Sequence, residues 1–171
     1  MTPMRKITLL LAFIGMMSLQ SCTVNEVRED TIDNDTISQV YEVIRSFTPS
    51  NNFSTLISFP QPIFNTDMVL VYRLAGVSGG VDIWKLMPET YFFPDGTLKF
   101  GYDYDFTRFD ANIFMHGFDL AGVPPNFRIN QVLRIVIVPG FFGKQAATST
   151  TFNDYHEVVR RYGIQNVTKL P

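Results

Sequence analysis

The sequence predicts a mainly β fold: an antiparallel β-sandwich, Ig-like or jelly-roll-like, with one C-terminal helix. Three observations predict it. From Gln39 onward short apolar runs alternate with turn signals, aromatic residues are abundant at 16 Phe and 7 Tyr, and helical spacing arises only near the C-terminus. Aromatic side chains suit a pleated, half-buried surface better than a helix. Turn-to-turn spacings of about ten residues are those of sandwiches and barrels.

The first segment, MTPMRKITLLLAFIGMMSLQSC, carries Arg5 and Lys6 ahead of an apolar run from Ile7 to Leu19. A run of about 13 residues makes a secretory h-region and falls short of the roughly 20 that a spanning helix needs. Residues 1–21 therefore read as a signal peptide outside the fold. Their end, Leu19-Gln20-Ser21-Cys22, resembles the lipobox of bacterial lipoproteins, with Gln20 where a small residue is commoner. The resemblance implies diacylglycerol on the Cys22 thiol, cleavage before that residue and acylation of the new amino terminus. Cys22 is the only cysteine, so no second thiol remains for a disulfide or a thiolate metal site.

Cleavage before Cys22 removes 21 of the 171 residues and leaves 150, enough for one domain with a sizeable core. It also removes two of the 14 basic residues and none of the 16 acidic ones, leaving a net charge of −4. That balance points away from nucleic acid. After the lipidated cysteine, TVNEVREDTIDNDTIS, Thr23 to Ser38, has no apolar period to bury. Residues 22–38 read as an acidic, flexible tether with a reach on the order of 20 Å. Residues 39–171 form the single β domain.

Within that domain FSTLISF places Phe53, Thr55, Ile57 and Phe59 on one side and Leu56 with two serines on the other. MVLVYRL and VLRIVIV are apolar on both faces, the mark of central strands, and carry Arg73 and Arg134. Pro94-Asp95-Gly96 joins YFF to TLKF as a hairpin, with Gly96 supplying a positive φ. LKFGYDYDF alternates Leu98, Phe100, Tyr102, Tyr104 and Phe106 against Lys99, Gly101, Asp103 and Asp105, a strand with one wet face. In NDYHEVVRRYGI, Tyr155, Val158, Val159 and Tyr162 follow helical spacing, with Asn153 or Asp154 to cap the start and Gly163 to close it.

Several motifs invite chemistry, and each has a plainer reading. Gly76-Val77-Ser78-Gly79-Gly80 fits the G-x-S-x-G of a nucleophile elbow, which needs a strand before the serine and a helix after it. Here VDIWKL follows, a strand pattern, so the serine reads as part of a hairpin. His156-Glu157 begins like a zinc motif but meets Arg160 where the second His belongs, and His116 is the only other imidazole. Asp103, Asp105, Asp110 and Asn112 carry oxygen ligands for calcium without EF-hand spacing, and read as a polar sheet face. No metal or cofactor and no catalytic residue is expected.

Arg73 and Arg134 sit in apolar runs and need carboxylate partners or an edge position, with Asp82, Glu89 and Asp110 as candidates. Trp84, the single tryptophan, is a candidate partner contact if exposed and a core residue if packed; packing is favoured. Phe141 and Phe142, after Pro139-Gly140, pose the same alternative.

The segments MVLVYRLAGVSGGVDIWKLMPETYFFPDGTLKFGYDYDF, FDANIFMHGFDL and QVLRIVIVPGFF together resemble small lipoproteins of Bacteroidota without an assigned biochemical role. The resemblance implies an envelope lipoprotein and supplies no catalytic residues. NEVRED, soon after Cys22, resembles surface-export signals of lipoproteins of that phylum, which implies outer-membrane, outward-facing placement. The expected function is a lipid-anchored, non-catalytic binding or structural module, held to the membrane through Cys22, with an envelope protein or glycan as partner. The alternative is an envelope hydrolase using Ser78 or a carboxylate site.

Overall fold

The computed structural model describes residues 38–140 and 152–171. The expected signal segment, Cys22, all but the last residue of the expected tether, Phe141 and Phe142 lie outside the described residues. Nine strands run β1 (Gln39–Arg45), β2 (Ser54–Ser58), β3 (Met68–Ser78), β4 (Val81–Leu86), β5 (Glu89–Phe92), β6 (Leu98–Phe106), β7 (Asp110–Gly117), β8 (Gln131–Val138) and β9 (Thr168–Lys169). One helix, α1 (Tyr155–Arg161), lies between β8 and β9.

The strands form two sheets, β4-β3-β8-β1-β9 and β2-β7-β6-β5, and every pair is antiparallel except β1 with β9. The chain is mainly β with one C-terminal helix, a β-sandwich. It changes sheet between β1 and β2, β2 and β3, β4 and β5, and β7 and β8. Short turns join only the consecutive antiparallel neighbours β3–β4, β5–β6 and β6–β7; the other pairs bring together strands distant in sequence.

Side-chain alternation divides the apolar residues between two cores. From β1, β3 and β8, the residues Tyr41, Val43, Val69, Val71, Leu133, Ile135 and Ile137 face the second sheet and meet Ile57, Phe100, Tyr102, Ile113 and Met115. The intervening residues Val40, Leu70, Tyr72, Val136 and Val138 point to the other face, where Trp84, Tyr155, Val158 and Tyr162 cover them. This explains why MVLVYRL and VLRIVIV are apolar on both faces. One face meets a sheet and the other meets α1 with the segment after it.

α1 starts at Asp154, whose carboxylate accepts from the backbone N–H groups of His156 and Glu157, satisfying two donors that a helix start leaves open. Gly163, at φ +62°, ends it. The helix is held to β4 by a His156 Nε2 contact with Asp82 O at 3.2 Å.

β6 departs from its expected pattern at both ends. Phe100 and Tyr102 are fully buried, whereas Leu98 and Phe106 are exposed, because the nine-residue strand overruns the opposing sheet. Gly101 on its outer face is covered. A Cβ there would lie 2.7 Å from His116 Nε2 and 2.9 Å from the Glu89 carbonyl oxygen, so the imidazole occupies the space of the missing side chain.

Candidate functional site

Ser78 closes β3, and Gly79 and Gly80 turn the chain into β4 with φ of +58° and +80°. Positive φ at two successive positions is what a tight hairpin demands, and glycine adopts it without steric cost. Strand, turn and strand surround the exposed serine, as its sequence context indicates. No helix start stands behind it, and among the described residues no imidazole or carboxylate hydrogen-bonds its hydroxyl.

Of the oxygen-bearing side chains considered for calcium, Asn112 donates to Asp105 across the β6–β7 ladder at 3.5 Å, and the others have partners of their own. Asp110 accepts from the Thr107 hydroxyl at 2.6 Å, Asn112 accepts from the Ser54 hydroxyl at 2.7 Å, and Asp103 accepts from the backbone N–H of Tyr104 at 2.8 Å. Among the described residues no group of three or more His, Cys, Asp or Glu side chains gathers around a common point.

Two arginines organise the interior. Arg73 points between the sheets, where its Nε and one terminal nitrogen donate to the two Glu89 oxygens at 2.9 and 2.8 Å. The same guanidinium donates to the Tyr91 hydroxyl at 2.9 Å and to Gln131 Oε1 at 3.2 Å, and lies 4.9 Å from the Tyr102 ring centroid. Tyr91 donates in turn to Glu89. Gln131 spends its amide N–H groups on Asn126 O and Ile129 O, so the network also fixes the loop before β8.

Arg73 is 3% exposed and Glu89 7%. Burial pushes the Glu89 carboxyl up, but hydrogen bonds from Arg73 and Tyr91 and the charges of Arg73 and Lys85 outweigh it and hold the carboxyl below its ordinary value. Burial and the hydrogen bond to Glu89 push Tyr91 up to about 12. Glu89 is one of the three carboxylates that the sequence offers Arg73. Arg73, Glu89 and Gln131 satisfy one another in the interior, with the half-exposed Lys85 reaching Glu89 at 3.3 Å from outside, which is the arrangement of a structural pair.

Arg134 points to the opposite face. It pairs with Glu42 at 2.9 Å, directly across the β1–β8 ladder, a partner outside the expected set. The expectation fails because Glu42 precedes Arg134 by 92 positions and only strand pairing joins them. The guanidinium lies 4.1 Å from the Trp84 ring centroid and 5.0 Å from that of Tyr155.

Trp84 takes the packed one of its two expected roles. It is 8% exposed, with Tyr155 on α1 packed against it at 5.3 Å between centroids. Cation–π contact with Arg134 and packing against Tyr155 engage most of the indole, which meets only the edge of a groove of about 460 Å³ that it lines with Asp82 and His156.

A groove of about 710 Å³ lies beside the start of β1 and is lined by Gln39, Gln61, Gln165 and Asn166 around the edge of Tyr41. Its side chains are amides, hydroxyls and apolar groups. Among the described residues its lining offers hydrogen-bonding groups, with the buried Tyr41 phenol as the one group that titrates.

The sandwich exposes both aliphatic side chains, Val77, Val81 and Ile83 of the β3–β4 hairpin among them, and phenylalanines. At the β5–β6 hairpin Phe92, Phe93 and Leu98 are exposed, and Phe118 is 88% exposed just after β7. They surround Lys99, whose ammonium lies 5.6 Å from the Phe93 ring centroid and whose carbonyl accepts from Phe118 N at 3.3 Å. Asp95 sets the turn beneath them, accepting from both the backbone N–H and the hydroxyl of Thr97. These phenylalanines lack the pattern that sequence reasoning uses, since strand ends and hairpin tips show their exposure only once the opposite sheet is in place. No family model, curated protein or solved structure matches the chain.

Proposed function

We propose that the protein is a lipid-anchored, non-catalytic binding module of the cell envelope, tethered through Cys22, with the aromatic surface around Lys99 as its partner contact. The observation that carries the binding part of this reading is that surface: Phe92, Phe93, Leu98 and Phe118, all exposed on one end of a rigid sandwich. Exposed aromatic side chains bury large area at low entropic cost, which is why they dominate contact energies. The anchoring part rests on the lipobox-like stretch that ends at Cys22. Two or more acyl chains hold a protein stably, each buried methylene contributing about 0.8 kcal/mol. Resemblance to lipoproteins of Bacteroidota supports outer-membrane placement, and the amide-lined groove supports binding over acid–base catalysis.

Two experiments test the reading. In cells fed an alkyne fatty acid, the wild-type chain is expected to take up label and sediment with membranes, whereas Cys22→Ala loses both. Label retained by Cys22→Ala would overturn the anchor. For the contact surface, a benzoylphenylalanine photocrosslinker replacing Phe118 is expected to give one discrete adduct with an envelope protein, which the same group at Leu56, exposed on the outer face of β2, does not give. Equal adducts from both sites, or none from either, would remove the surface from the proposal.

A further inference from the structure

Exposed aromatic residues gather at both ends of the sandwich, and the ends differ in how the chain reaches them. Ser38, the first described residue, leads into β1 at the end where Gln39 pairs with Ile137 and Met68 pairs with Val138. The second sheet contributes its own residues here. Tyr104, near the end of β6, donates its hydroxyl to Val69 O at 2.9 Å, so the β6–β7 turn lies beside the start of β3. Phe59 N donates to Phe109 O and Ile63 N to Arg108 O, each at 2.8 Å, which binds this turn to the loop after β2. Phe64, Phe106 and Phe109 are all exposed on it, Phe109 at 59%.

The backbone that carries these rings is fastened on several sides. Asp67 accepts from the backbone N–H of Phe64 at 2.9 Å and from that of Gly140 at 3.2 Å, fastening the loop to the end of β8. Arg108 donates to Ile63 O at 2.9 Å, and its guanidinium carbon lies 5.9 Å from the Phe109 ring centroid. An arginine beside exposed phenylalanines is chemistry suited to a bilayer interface: rings at the acyl boundary, guanidinium among phosphates.

The geometry points to this end as a membrane-docking face, in which Phe64, Phe106 and Phe109 seat at the headgroup–acyl boundary of the bilayer that holds the Cys22 lipid. The inference rests on the anchor reading. Between Cys22 and β1 stand the 16 residues Thr23–Ser38. Even fully extended they span no more than about 55 Å, so the end they enter stays near the bilayer. A short link of this kind raises the effective concentration of the second contact to the order of millimolar, and weak interfacial affinity then suffices. The Phe118 end faces away from that link and stays free for a partner.

The test uses the full lipidated chain in vesicles of phosphatidylethanolamine and phosphatidylglycerol, with acyl chains either plain or brominated. Co-flotation reads the anchor and bromine quenching reads the docking. Phe109→Trp is expected to lose most of its added emission in brominated vesicles, while Phe118→Trp keeps its own; the buried Trp84 is the same background in both. Flotation without quenching of Phe109→Trp overturns the docking alone, as does quenching confined to Phe118→Trp. Emission of Phe109→Trp that responds to protein density in plain vesicles and not to bromine assigns the face to a second copy of the chain and overturns the membrane. Failure to float overturns the anchor and the docking together.

Discussion

Glu89→Ala is expected to lower the unfolding free energy by about 3–5 kcal/mol, the largest loss from any single surface or interior carboxylate, because it leaves Arg73 buried without its counter-charge. Arg73 would keep the Tyr91 hydroxyl, Gln131, the Leu74 carbonyl and the Tyr102 ring, none of them charged. Urea unfolding measures the loss. The double variant Arg73→Met with Glu89→Leu is expected to recover most of it, since an apolar pair removes the cost of desolvating both charges. A double variant as unstable as Glu89→Ala would mean that the network holds the loop before β8 by specific hydrogen bonds.

The same pair sets an acid dependence. Glu89 is held below its ordinary value of 4.5 in the folded chain. Its contribution is therefore complete above the unfolded value and is lost as the pH falls through the lower folded one. Wild type should lose stability on acidification below about pH 4.5 more steeply than Glu89→Gln, which has no carboxylate to protonate there. Parallel acid limbs for the two proteins would show that other carboxylates govern the slope.

Trp84→Ala is expected to cost about 3–5 kcal/mol through the cavity left under α1. The ring packs on Tyr155 and supports the Arg134 guanidinium, so its loss loosens the helix and one member of the Glu42 pair together. Hydrogen exchange should show the earliest loss of protection at the amides of Val158 and Tyr162, which bond back to Asp154 and Val158. Trp84→Phe is the milder change: it keeps an aromatic face and removes an indole N–H that is buried without an acceptor. Protection unchanged in Trp84→Ala would mean that α1 is held by the segment after it. Binding lost in Trp84→Ala would report a loosened helix layer, so a contact at the aromatic end is better probed at Phe118.

Much of the architecture is legible in the sequence because it depends on neighbours. Alternation in LKFGYDYDF and FSTLISF, doubly apolar runs in MVLVYRL and VLRIVIV, Pro94-Asp95-Gly96, and the Asp154 cap ahead of Tyr155 are all local patterns. Each maps onto a strand, a turn or the helix start. β9 is less legible. It has two residues and pairs in parallel with β1, too short for any period to register.

The sequence by itself determined that this is a mainly β domain with a C-terminal helix, where the β3–β4 and β5–β6 hairpins turn, and that Ser78 belongs to the first of them. Backbone propensity and side-chain alternation operate over a few residues, and that is why they can be read from a single chain. Only the tertiary structure decided that Arg134 meets Glu42 rather than Asp82 or Asp110, that Trp84 lies under α1, and that Phe109 and Phe118 mark opposite ends. Each of those facts depends on which strands become neighbours and on where one sheet stops covering the other. Such pairings join residues far apart along the chain, and their energies exist only after the two sheets have closed on each other.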